Sequence, residues 1–105
     1  MIKIRFKPQG AYTLVRLLIE HSMETGRRRD PATGKLAPAH FITELRVDLN
    51  GQNVIKGLLS TAVSKDPYFS FRLNEAKPGD LLRVTWIDNL GQKDSAEAVI
   101  GKSMD

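Results

Sequence analysis

The sequence predicts an all-β fold: an immunoglobulin-like antiparallel β-sandwich of about seven strands, in a single domain spanning residues 1–105. Three observations carry this. Apolar residues recur with period two along most of the chain, as they do on half-buried strands. Asn50-Gly51 separates two such runs and is the strongest short hairpin signal available. Turn residues punctuate the remaining runs at the short spacing of a β-sandwich.

Taken in order, Ile2, Ile4 and Phe6 alternate with Lys3, Arg5 and Lys7 in the first run. Pro8-Gln9-Gly10 ends it. "AYTLVRLLIEH" is ambiguous, because Leu14, Leu17 and Leu18 would also suit a helix. It reads as a strand: Gly10 precedes it, it has no N-cap signal, and strands surround it. "FITELRVDLNG" places Phe41, Thr43, Leu45, Val47 and Leu49 on one face, and "NVIKGLL" returns after the Asn-Gly turn. "YFSFRLN" alternates Phe69, Phe71 and Leu73, and "LLRVTWID" sets Leu82, Val84 and Trp86 opposite Arg83, Thr85 and Ile87. "SAEAVIG" supplies the last strand. Trp86 reads as a core or sheet-face residue.

Residues 21–39 form the one connection out of scale, a length that compact domains reserve for functional or disordered loops. It contains "HSMETGRRRD". In a seven-strand sandwich the connections after strands two, four and six share one end. Residues 21–39, 60–66 and 89–93 are therefore expected to crowd together. There Met23, an adaptable apolar contact, and the arginines, with their fork of donors, would meet a partner.

Composition narrows the function. The 41% hydrophobic and 27% charged residues are those of an ordinary globular domain. Zero cysteines exclude thiolate nucleophiles, disulfides, iron–sulfur clusters and cysteine-ligated zinc, while leaving the compartment open. No apolar run approaches the roughly 20 residues of a membrane-spanning helix; "LVRLLI" is broken by Arg16. The opening "MIKIRFKP" alternates charge with apolar residues and so lacks a signal-peptide hydrophobic region. The net charge of +4 favours anionic surfaces, although the basic residues are scattered along the chain and only Arg27-Arg28-Arg29 form a run.

No catalytic motif is present. Ser22, Ser64 and Ser70 lack a GxSxG frame, and there is no P-loop or GxGxxG fingerprint, so neither an enzyme nor a cofactor is expected. His21 and His40, at the two bases of the long loop, are placed to approach each other. With Glu24 or Asp30 they would make a metal set, but no metal-ligand spacing supports it and a structural role is expected. Nucleic-acid binding through Arg27–Arg29 is a second alternative, with "FSFRL" as a stacking strand. Glu24 and Asp30 flank those arginines, and the core claims Phe69 and Phe71. A protein-interaction module fits better.

At this point the sequence resembles a known family. "HSMETGRRRD", "GKLAPAHFI", "LNGQNV", "AVSKDPYFSF" and "KPGDLLRVTWIDNLGQ" occur in order over nearly the whole chain and are similar to SoxZ, the Z subunit of the SoxYZ sulfur carrier of bacterial thiosulfate oxidation. Ser22 stands where that family usually has proline, and Arg29 where lysine is common. The resemblance implies an immunoglobulin-like sandwich with no cofactor or metal. It implies a heterodimer with a Y subunit whose flexible arm carries sulfur on a cysteine. It further implies transient contacts with the sulfur-oxidising enzymes, and a periplasmic location reached in complex with the partner, on the partner's export signal. Nucleic-acid and membrane partners are not expected. On the family's motifs the interface residues are Met23, Glu24, Arg27, Arg28, Asp30, His40, Phe41, Pro67, Tyr68 and Phe69. Beside the docking role stands a purely structural one: Arg28 or Arg29 pairing with Glu24 or Asp30, Gly26 and Gly34 at positive φ, and Pro67-Tyr68 opening a strand. An exposed sheet edge is also expected to pair with the partner.

Overall fold

A computed structural model describes residues 1–9, 11–59, 65–74 and 76–101. Its strands are β1 (Ile2–Pro8), β2 (Thr13–Ile19), β3 (Ile42–Leu49), β4 (Gln52–Leu58), β5 (Tyr68–Leu73), β6 (Leu81–Asp88) and β7 (Lys93–Val99). They form a three-stranded sheet, β1-β2-β5, and a four-stranded sheet, β4-β3-β6-β7, antiparallel throughout. This is the expected sandwich, with the fourth strand paired to the third and not to the fifth.

The core lies between the sheets. Ile4 and Phe6 of β1, Val15, Leu17 and Ile19 of β2, Val47 of β3, and Leu82, Val84 and Trp86 of β6 are all buried. The "AYTLVRLLIEH" segment is a strand because Thr13, Val15, Leu17 and Ile19 point inward in strict alternation, leaving Leu14 and Leu18 on the outer face. In β3 the expected single face of Phe41, Thr43 and Leu45 is interrupted. Pairing with β6 slips between Ile42 and Glu44, so Ile42 goes inside and Phe41 and Thr43 are only half-buried. A bulge inserts one residue and flips the face on either side of it.

The β3–β4 turn follows its chemistry. Asn50 and Gly51 both adopt positive φ, 50° and 84°, as a type I′ hairpin turn requires. At the other end of the sandwich, residues 21–41 are not a featureless loop. Glu24 and His40 exchange backbone hydrogen bonds of 2.6 and 3.0 Å, and Arg29 bridges to Leu36. Further out, Asp30 N–H donates to Lys35 O and Gly34 N–H to Asp30 O, closing an irregular hairpin with a tip at 30–35. Gly26 and Gly34 take positive φ, as the structural reading expected.

Candidate functional site

The end of the sandwich that carries this hairpin gathers segments distant in sequence. His21 accepts Asp66 N–H at its carbonyl (2.9 Å), and Asp66 Oδ1 accepts His21 N–H (3.0 Å). Asn89 clamps the returning arm. Its N–H and Oδ1 bond Phe41 O and N–H at 3.0 and 2.8 Å, and its Nδ2 donates to Ala39 O at 2.8 Å. The connections after β2, β4 and β6 therefore meet, as topology predicts; residues 60–64 of the second connection lie outside the described residues.

At the centre sits Asp88, buried at the end of β6. Its Oδ1 accepts the N–H groups of Leu90 (3.0 Å) and Gln92 (2.9 Å), shaping the β6–β7 turn. Its Oδ2 faces His40 Nε2 at 2.7 Å and His21 Nε2 at 3.3 Å. Burial pushes the Asp88 carboxyl up, but the hydrogen bonds from His40, His21, Gln92 and Leu90 outweigh it and hold the group below the ordinary value of 3.8. The two imidazoles do approach each other, with ring centroids 4.5 Å apart, and the His21 ring also meets Trp86 edge-on at 5.1 Å.

The carboxylate that joins the histidines is Asp88, not Glu24 or Asp30 as the sequence suggested. Their three polar atoms converge within 4.8 Å, a spacing that a cation would accept. The local chemistry argues otherwise. Met23 N–H donates to His21 Nδ1 at 3.1 Å, so that nitrogen keeps its lone pair and the ring proton sits on Nε2, facing Asp88. The proton occupies the position a metal would need. The cluster is a tie: one carboxylate fastens both bases of the hairpin to the β6–β7 turn.

The ten residues anticipated as an interface divide sharply. Met23 is a core residue at 4% exposure; it adopts φ 50°, and its Sδ accepts Ile42 N–H at 3.3 Å. The expectation that Met23 meets a partner at the surface is therefore corrected: it plugs the end of the core. Pro67 is likewise buried, ahead of β5. Phe41 and Phe69 are half-buried against the core. His40 is held by Asp88, and Asp30 Oδ1 accepts Ala32 N–H within the hairpin tip. Arg28 Nε bonds both oxygens of Glu24, at 3.0 and 3.1 Å, and Arg29 donates to Gly34 O. That leaves Arg27, Arg28 and Tyr68 as the exposed members. With Arg28 and Arg29 engaged inside the hairpin, the arginine run is not a free trio of phosphate ligands.

What sequence reasoning missed at this end is apolar. Met1, Leu36, Leu58 and Leu90 are 56%, 54%, 81% and 59% exposed and join the anticipated Tyr68, at 58%. All five sit at or beside the hairpin end, and they make up the larger part of the eight large apolar side chains exposed among the described residues. Leu36 and Leu90 carried a signal, as leucines placed in turns.

A search among curated proteins returns no match. The sequence profile of the family described as "Sulphur oxidation protein SoxZ" matches residues 2–99. That span takes in all seven strands and the hairpin end, and the chain belongs to the SoxZ family of sulfur-oxidation proteins.

Proposed function

We propose that this chain is the non-catalytic Z subunit of a two-subunit sulfur carrier. It binds and stabilises a cysteine-armed Y subunit and helps present the sulfur intermediates on that arm to thiosulfate-oxidising enzymes. One observation carries the reading: a member of a sulfur-oxidation family has no cysteine anywhere in its sequence, so it has no thiol on which to hold sulfur. That supports a contribution made through a partner that has one.

Docking is proposed at the hairpin end. The exposed Leu36, Leu58, Tyr68 and Leu90 offer apolar contacts for an interface, and Arg27 and Arg28 offer polar ones. Glu24, Asp30, His40 and Phe41 support that surface from behind. The outer strands β4 and β5 supply the candidate edges for strand pairing, since β1 and β7 approach each other on the opposite flank. The complex is proposed to work in the periplasm, with this chain exported as a folded complex on its partner's signal.

Intact-mass measurement of both chains tests the division of labour, after a reconstituted carrier is incubated with thiosulfate and the oxidising enzymes. Sulfur-containing mass increments are expected on the Y chain alone. A stoichiometric increment on this chain would refute the reading.

A further inference from the structure

The outer face of the β1-β2-β5 sheet holds a charge pattern that the carrier reading leaves unused. Register sets its outward side chains in three rows: Lys3–Leu18–Tyr68, Arg5–Arg16–Ser70 and Lys7–Leu14–Arg72. Lys3, Arg5, Lys7, Arg16 and Arg72 are all exposed, and the grid has no acidic member. Of the chain's 16 Lys and Arg, these five leave 11 against 12 Asp and Glu elsewhere. The whole net positive charge of the protein thus resides on one sheet face.

The opposite face provides the comparison. Outward positions there mix Glu44, Asp48 and Glu97 with Arg46, Lys56, Arg83 and Lys93, and Lys56 pairs with Glu44 at 3.4 Å. Mixed signs are the ordinary solution for a solvated sheet. On the basic face the register sets Arg5 directly opposite Arg16. Lys3, Arg5, Arg16, Leu18 and Tyr68 line a shallow cleft between these strands, so the cations surround an apolar floor.

We infer that this face docks an acidic, carboxylate-rich patch of a partner protein. Three features select that occupant. Three of the five cations are arginines, whose planar forks match carboxylates in pairs. Leucines and a tyrosine alternate with them, the mixture of apolar, aromatic and arginine residues found in protein interfaces. A nucleic acid would call for a row of stacking rings. Here Tyr68 is the one aromatic in the grid, and the nearby Tyr12 ring is already covered by the Arg72 guanidinium at 4.9 Å. The grid covers roughly 13 by 10 Å at the backbone, from strand rise and spacing. Five cations gathered on so small a face steer an acidic partner by charge. The inference does not depend on the carrier reading.

An NMR titration of the isotope-labelled full chain with a decaglutamate peptide tests it. A duplex DNA of equal charge and phosphatidylglycerol vesicles serve as competing probes. The peptide is expected to shift amides of residues 3–7, 14–18 and 68–72, with affinity falling about tenfold between 50 and 200 mM salt. R5E/R16E is expected to lose at least tenfold in affinity, and R5Q/R16Q an intermediate amount, both with unchanged circular dichroism because the outward positions bear no core packing. Shifts mapping elsewhere, or affinity unchanged in both variants, would overturn the proposal. Tighter binding of the DNA or the vesicles at these same amides would overturn the choice of a protein partner.

Discussion

At the scale of single residues, Asp88 decides the geometry of the proposed docking end. Replacing it with alanine strands the Leu90 and Gln92 N–H groups and the His21 Nε2–H in a buried site, at a cost of about 3 kcal/mol. Asp88→Ala is therefore expected to lower the urea midpoint without changing its slope, and to loosen residues 21–41 in hydrogen exchange. The same group gives a pH signature. Its carboxyl ionises at lower pH folded than unfolded, so its contribution is complete above the unfolded value near 3.8 and is lost as pH falls through the depressed folded one. Acid titration of stability is expected to show this loss in the wild type and not in Asp88→Ala. Sequence alone did not reach this tie. His21 and His40 were legible as neighbours, because they bracket one loop. Asp88, 48 residues beyond His40, reads in sequence only as a turn aspartate. Met23 misled for a related reason: a methionine among charged residues looks like an exposed contact, and only the left-handed turn at φ 50° folds it back into the core.

At the scale of elements, period two was sufficient wherever the pairing is regular. In β2, Val15, Leu17 and Ile19 outvote the helical spacing of Leu14, Leu17 and Leu18, since the outer face of the sheet can carry Leu14 and Leu18 half-exposed. Alternation failed at Ile42–Glu44, where a bulge changes which residues face inward and nothing local announces it. The Asn50-Gly51 turn was fully legible, and it yields a clean test. A Cβ added at Gly51 meets no atom within 4 Å, so any penalty comes from φ 84° alone. Gly51→Ala is expected to destabilise by about 1 kcal/mol in chemical denaturation, leaving docking at the far end of the sandwich unchanged. The long connection was recognised by its length, yet its hairpin character rests on backbone pairs such as Glu24–His40 and Ala37–Arg28, which leave no mark in residue type.

At the scale of the whole molecule, the chain offers two differently built surfaces. One is the hairpin end, where leucines and Tyr68 are exposed beside a hydrogen-bonded frame; the other is the basic face of the β1-β2-β5 sheet. In sequence the cations look scattered, because strand alternation spaces them two apart and pairing gathers them from three strands. Their concentration on one face becomes visible only once the register is known. Tyr68 belongs to both surfaces, so the two adjoin, and a partner held at the end would share that residue with anything bound on the sheet face.

The central claim is that this chain acts as the docking half of a carrier. Co-expression with a SoxY-type subunit, followed by size-exclusion chromatography with mass detection, tests it most directly. The account predicts a stable one-to-one complex that is lost when Arg27, Leu36 and Leu90 are changed together to aspartate, while the isolated variant stays folded. Met23 is left unchanged, since its replacement would report on core stability and not on contact. No complex with the wild-type chain, or one that the triple variant forms equally well, would contradict the account: the first its function, the second its docking end.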